Sequence, residues 1–185
     1  EDRGQYNNDT EIFWATGACM MVRADIYHQL GGLDDDFFAH MEEIDLCWRI
    51  QNAGYKIMYT HRSKVFHIGG GSLSTDSPFK LFLNFRNNLY LLYKNLPKRK
   101  LFPVLTQRML LDMLSALIYF LKGTPKKSAA VCKAHFAFLK NKRKFKEKRK
   151  ALPGKNELPI QMVKKSMLFD FFIRKKIYFR QLLHN

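Results

Sequence analysis

Residues Gly31–His67 read GGLDDDFFAHMEEIDLCWRIQNAGYKIMYTHRSKVFH, and the fold turns on how they are parsed. Glu42 and Glu43 open an amphipathic segment in which Leu46 and Ile50, and Ile44 and Trp48, lie four residues apart. That spacing predicts a helix over Glu42–Ala53. Asp45 and Arg49 share the spacing and are expected to pair on its surface. Acidic residues in a first turn suit the positive end of the helix dipole, an environment expected to keep them ionised. Gly54 is the expected stop, and short strands are predicted over Lys56–Thr60 and Lys64–His67. A helix followed by a returning strand brings its two ends to one sheet edge. The carboxylate pair and His67 could meet there as half of an active site.

Working outward, Phe13–Val22 (FWATGACMMV) is a run of small and apolar residues that suits a buried strand, with Gly17 allowing close backbone approach. A short helix is expected over Ala24–Leu30, ended by Gly31-Gly32. A turn at Leu33–Asp36 then returns Phe37 and Phe38 to the core. Ile68–Asp76 is rich in glycine and serine and is a candidate lid, with Gly69, Gly70, Gly71 and Ser72 at its centre. Ser77-Pro78 and Thr124-Pro125 each read as a cap followed by a first-turn proline. Helices are expected over Phe79–Asn95, Leu101–Leu121 and from Pro125 to about Lys150. Pro153-Gly154 and Pro159 mark a linker before a last helix over Ser166–Leu183.

The 185 residues carry a net charge of +16, unevenly placed. Residues 1–76 hold 12 acidic and 6 basic side chains, whereas residues 77–185 hold 26 basic and 4 acidic. A basic part of that size calls for an anionic partner or a large solvated surface. The three cysteines are widely spaced and form no CxxC, which fits reduced thiols. Cys19 and Cys47 sit in apolar patterns and are expected in the core. The longest apolar run, Met109–Leu121, is thirteen residues and too short to span a bilayer. The reading is a soluble or peripheral protein cut from a longer one.

The run from Thr16 to Ser72 resembles the C-terminal half of the catalytic domain of family 2 glycosyltransferases, closest to bacterial rhamnosyltransferase-like and polysaccharide-type members. The likeness is carried by the small-residue strand Thr16-Gly17-Ala18 and the Gly31–Asp34 turn. The aromatic pair Phe37-Phe38 leads to the Glu42–Arg49 acidic motif. Gly54-Tyr55 follows, then Val65-x-His67 before the glycine loop. The resemblance implies an α/β fold, the C-terminal half of a GT-A (Rossmann-like) domain over 1–76. Basic amphipathic helices follow over 77–150, and a linker with a C-terminal basic helix over 151–185.

The activity it implies is inverting transfer of a hexosyl or rhamnosyl unit from a nucleotide-diphosphate sugar to a glycan or lipid-linked acceptor, in cell-envelope polysaccharide biosynthesis. In the family the second residue of the acidic pair is the general base. That position is Glu43 here, one methylene longer than the usual Asp, with Glu42 beside it. The histidine before the glycine loop ligates a divalent cation (Mg2+ or Mn2+) in relatives, which implies His67. Trp14, Thr16, Gly17, Ala18, Asp45 and Arg49 are implied on the acceptor side, and Asp34 either orients the acceptor or shapes its turn. Asp34-Asp35-Asp36 is not read as the family's Asp-x-Asp site, because it falls in the Gly-Gly-Leu-Asp turn. The nucleotide-binding half is expected upstream, so this stretch alone is expected to be inactive. The Gln-x-x-Arg-Trp motif of processive synthases is absent, which favours single-residue transfer.

For the basic region, an apolar stripe of Phe82, Phe85, Leu89 and Leu92, flanked by Arg86, Lys94, Lys98, Arg99 and Lys100, fits a helix lying on an anionic membrane surface. The expected location is the cytoplasmic face of the inner membrane. Nucleic-acid binding by Lys140–Lys150 is disfavoured, since no recognised module accompanies it. A rival reading is a noncatalytic membrane- or polyanion-binding protein on a degenerate transferase scaffold.

Overall fold

The computed structural model describes residues 4–67 and 77–152, with 158, 159, 162, 170, 171, 174 and 175. The chain begins with strand β1 (Thr10–Glu11), helix α1 (Ala24–Gln29), helix α2 (Glu42–Asn52) and strand β2 (Met58–Tyr59). Helices α3 (Pro78–Asn95), α4 (Lys98–Leu121) and α5 (Pro125–Ala151) complete it. Single 3-10 turns lie at Gly17–Cys19 and Asp35–Phe37. Among the described residues the sheet consists of β1 and β2, antiparallel, with Thr10 opposite Tyr59 and Glu11 opposite Met58.

Most of the predicted helices form where their caps and breakers put them. Gly54, at φ +88, closes the end of α2. Ser77 caps α3, its hydroxyl accepting the Phe79 N–H at 3.2 Å. Gly123, at φ +70, ends α4 while the Thr124 hydroxyl donates to the Tyr119 carbonyl at 2.7 Å. Helix α4 starts three residues earlier than expected and carries Pro103 within it. Its 24 residues make it, among the described residues, long and apolar enough to cross a membrane by length and composition. The thirteen-residue limit inferred from the Met109–Leu121 run therefore does not hold for the helix, which extends that run back to Lys98.

Several strand expectations are corrected. Phe13–Val22 forms no strand; Thr16 caps a 3-10 turn instead, and residues 16–19 are exposed. Without a paired neighbour along this run, the small residues have no ladder to join. Cys19 is accordingly exposed, whereas Cys47 is buried as expected. Lys64–His67 is exposed and irregular, and β2 retains only the middle of its predicted span. The Ile68–Asp76 lid and most of the Ser166–Leu183 helix lie outside the described residues.

Helices α3, α4 and α5 pack together, and α3 also meets α2 and the turn before it. The main core joins Phe37 and Trp48 to Leu89, Tyr90, Tyr93, Leu96, Phe138 and Phe145. Tyr90 and Phe145 stack with ring centroids 3.9 Å apart. The stripe predicted to face a membrane from α3 is turned inward: Leu89 is in this core and Leu92 packs against it. Phe85 lies half-buried under Arg108. A second, smaller core joins Ile26 to Leu46 and Ile50.

Candidate active site

The acidic pair sits at the start of α2 behind an unusual backbone. Phe38, His40 and Met41 all have positive φ, at 65°, 71° and 75°. Side chains other than glycine adopt that region at a cost, and it persists only where the surroundings enforce it. The enforcing group is Asn87, buried in the middle of α3. Its Nδ2 donates to the carbonyls of Phe37, Ala39 and His40, each at 2.8 Å. The Arg86 guanidinium adds bonds to the Asp36 and Phe37 carbonyls at 3.2 and 3.0 Å. Phe37 thus returns to the core as expected, but Phe38 does not; it is 73% exposed, because the positive φ turns the chain outward.

This loop delivers Glu42 and Glu43 half-buried. One carboxylate oxygen of each, Oε2, is shielded from solvent and has no hydrogen-bond partner among the described residues; the same holds for His40 Nε2. Buried polar atoms are almost always satisfied, so three unpartnered ones on residues this close in sequence stand out. Burial pushes the Glu42 carboxyl up from its ordinary value. The neighbouring Glu43 charge pushes the same way, while its own backbone N–H and His40 pull it down. Desolvation is the largest of these effects.

Gly17 lies beside this pair, as a Cβ built on it would come 4.0 Å from the Glu43 Cβ. Thr16 and Ala18 flank it and are exposed, the Thr16 hydroxyl accepting the Ala18 N–H at 3.5 Å. Trp14, expected in the core or on the acceptor side, is exposed. A path of exposed residues therefore runs up to Glu43. His67 is exposed and makes no hydrogen bond or ion pair to the acidic pair among the described residues. Nor do the described residues contain a group of three or more His, Cys, Asp or Glu side chains able to hold a metal ion. Among the described residues His67 offers a single ligand, and no step is assigned to a metal ion.

Asp45 and Arg49 do pair, but not on the surface, and they are not placed to touch a substrate. Asp45 is fully buried and accepts from Arg49 Nε, Lys94 Nζ and Asn95 Nδ2, each at 2.8 Å. The other two Arg49 nitrogens donate to the Leu30 and Gly32 carbonyls, both at 2.6 Å. The pair fastens α2 to the Gly31-Gly32 turn on one side and to α3 on the other. Every polar atom of this ion pair is used inside the protein, which is what allows it to be buried.

Asp34 shapes its turn, as one of its two expected roles had it. Its Oδ1 accepts the Asp36 N–H at 3.1 Å, and its carboxylate pairs with Lys94 at 2.6 Å and Lys148 at 2.5 Å. Burial alone would raise its pKa, but the hydrogen bonds from Lys148 and Lys94 prevail and hold it at about 2. Asp36 is lowered likewise, against its own burial, by Lys144 and Lys148. A cleft of about 440 Å³ opens here rather than at the acidic pair. Its charges neutralise one another, which makes it the seam between the turn and α5 rather than a site.

Sequence reasoning missed Asn87 and Asn95, and it gave Arg86 and Lys94 to a membrane surface, whereas both bond within the fold. The one available signal was the polar run Arg86-Asn87-Asn88 inside an aromatic helix, where the apolar face should have continued.

Comparison with known proteins bears on this geometry. One stretch of 69 residues is 32% identical to an N-acetylglucosaminyl-diphospho-decaprenol L-rhamnosyltransferase of Mycobacterium tuberculosis, covering 37% of this chain and 22% of that protein. Sixty residues are 33% identical to the rhamnosyltransferase WbbL of Escherichia coli, covering 32% of this chain and 23% of the relative. Eighty-five are 28% identical to the low-salt glycan biosynthesis hexosyltransferase Agl10 of Haloferax volcanii, covering 45% and 28%. These relatives are glycosyltransferases. The matched stretches span less than a third of the length of each. No family model matches the chain, and no solved structure does.

Proposed function

We propose that this chain carries the acceptor side of an inverting glycosyltransferase, with Glu43 as general base. The observation that carries the reading is the shielded, unsatisfied Glu43 Oε2 at the head of α2, beside Gly17, in a chain similar to rhamnosyl- and hexosyltransferases. The donor is a nucleotide-diphosphate sugar and the acceptor a glycan or lipid-linked hydroxyl. Glu43 Oε2 accepts the proton of that hydroxyl as its oxygen bonds to the anomeric carbon. The bond from that carbon to the diphosphate breaks on the opposite face, the electron pair leaves with the nucleoside diphosphate, and the configuration inverts. Beside it, burial pushes the Glu42 carboxyl up from its ordinary value.

The test is transfer by the protein carrying Glu43→Gln, which keeps the shape and removes the base. Transfer should fall by roughly 10²–10⁴-fold while nucleotide-sugar affinity, measured by calorimetry, stays the same. Unchanged transfer removes Glu43 from the reaction. The intact protein showing neither transfer nor nucleotide-sugar binding before mutation supports the noncatalytic scaffold instead; the same result with this stretch alone does not, since it is expected to be inactive by itself.

A further inference from the structure

Helix α4 is built inside out. In its C-terminal half the polar side chains turn toward the protein: Asp112 is buried, forms an ion pair with Arg108 (Nε to Oδ1 2.7 Å) and meets His135 Nε2 of α5 at 3.1 Å. Ser115 is half-buried and donates to the Leu111 carbonyl at 2.9 Å. Val104, Leu105 and Met109 pack on the core. The opposite face presents Leu110, Met113, Leu114, Leu117 and Leu121 at three- and four-residue spacing, with Leu110 66%, Leu114 52%, Leu117 52% and Leu121 74% exposed. A helix on a water-facing surface has the reverse arrangement. Scattered exposed leucines are ordinary; a continuous row along about 17 Å of helix is not.

What covers this row is indicated by the charges around it. Exposed Lys98, Arg99 and Lys100 stand at one end of α4, and exposed Lys122 and Lys126 at the other. An apolar strip bounded at both ends by cations matches a bilayer with anionic headgroups: leucines enter the acyl boundary and the cations stay at headgroup level. Spanning is excluded by what α4 is attached to. Its inner face packs along α5, whose exposed Lys133 and Lys140 would be drawn into hydrocarbon with it.

We infer that α4 lies in the plane of an anionic membrane, seated by the Leu110–Leu121 row. The inference rests on α4 alone and does not depend on the transfer chemistry. It also moves the membrane contact away from the α3 stripe that the sequence suggested.

The test is flotation of the full chain with phosphatidylglycerol-containing vesicles, with pure phosphatidylcholine vesicles as the comparison. The chain should float with the anionic vesicles and much less with the neutral ones. Leu114→Glu/Leu117→Glu substitutes side chains that already face outward, so circular dichroism and Tm should hold while vesicle binding falls about tenfold or more. Lys98→Glu/Arg99→Glu/Lys100→Glu should remove most of the preference for anionic lipid. Failure of the unmodified chain to float overturns the inference. So does flotation that the two glutamates leave intact, which would place binding on the α5 lysines. A dimer in light scattering that those glutamates split, without vesicle binding, would give the row to a second copy of the chain.

Discussion

Glu42 and Glu43 are adjacent and share one helix turn, yet their surroundings assign them different work. Glu42 is the one whose carboxyl is pushed up by burial, with the Glu43 charge acting in the same direction. Its folded pKa lies above its unfolded one, so its charged form opposes folding. That penalty is absent below about pH 4.5 and reaches full size once pH exceeds the folded value. Glu42→Gln removes a charge and keeps the shape, so it should raise Tm at pH 7, by on the order of 1–2 °C, and leave Tm near pH 4 unchanged. Calorimetry at the two pH values checks this. A fall in Tm at pH 7 would mean that the Glu42 carboxylate is satisfied rather than desolvated.

At the scale of elements, α2 is aimed by α3. Asn87 alone holds three carbonyls of the loop that carries the acidic pair, and it does so across about fifty residues of sequence. Asn87→Ala would remove the side-chain donor from the Ala39 and His40 carbonyls, while the Phe37 carbonyl keeps Arg86 and the Ala39 N–H, and would release the positive φ angles at Phe38, His40 and Met41. The expected cost is about 2–4 kcal/mol, read as a shift in the urea midpoint at constant slope. Transfer should fall more than stability explains, because the acidic pair loses its position even in molecules that stay folded. A variant with normal transfer and lowered stability would make Asn87 purely structural. Helices were readable because local signals set them: Ser77-Pro78, Thr124-Pro125, Gly54 and Gly123 act within one turn of chain. The acidic pair was readable for the same reason. The inward turn of α3, the burial of Asp45–Arg49 and the failure of the Phe13–Val22 strand were not, since each depends on a partner distant in sequence. Amphipathicity shows that a helix has an apolar face, but not whether protein or lipid covers it; protein covers that of α3, and lipid is what we infer for α4.

For the whole molecule, the uneven charge is a means of closure. The acidic first part and the basic last part meet where Lys144 and Lys148 of α5 reach Asp34 and Asp36, more than a hundred residues away. Part of the positive excess that looked like a docking surface is thus spent inside the fold, and the latch holds α5 against the turn that precedes the acidic pair. Both aspartates titrate below their ordinary value, Asp34 at about 2. A folded pKa below the unfolded one adds stability that is fully present above about pH 4 and is lost as pH falls toward 2. Protonation there also unmasks the lysines, so a chain already at +16 gains further self-repulsion. Asp34→Asn/Asp36→Asn should therefore lower Tm at pH 7 by on the order of 3–5 °C. Its Tm should then fall less than that of the unmodified chain between pH 4 and 2, so that the two curves converge at the acid end. Parallel curves would mean that the latch contributes nothing to acid lability, which would leave α5 held by the Tyr90–Phe145 stack and its neighbours alone.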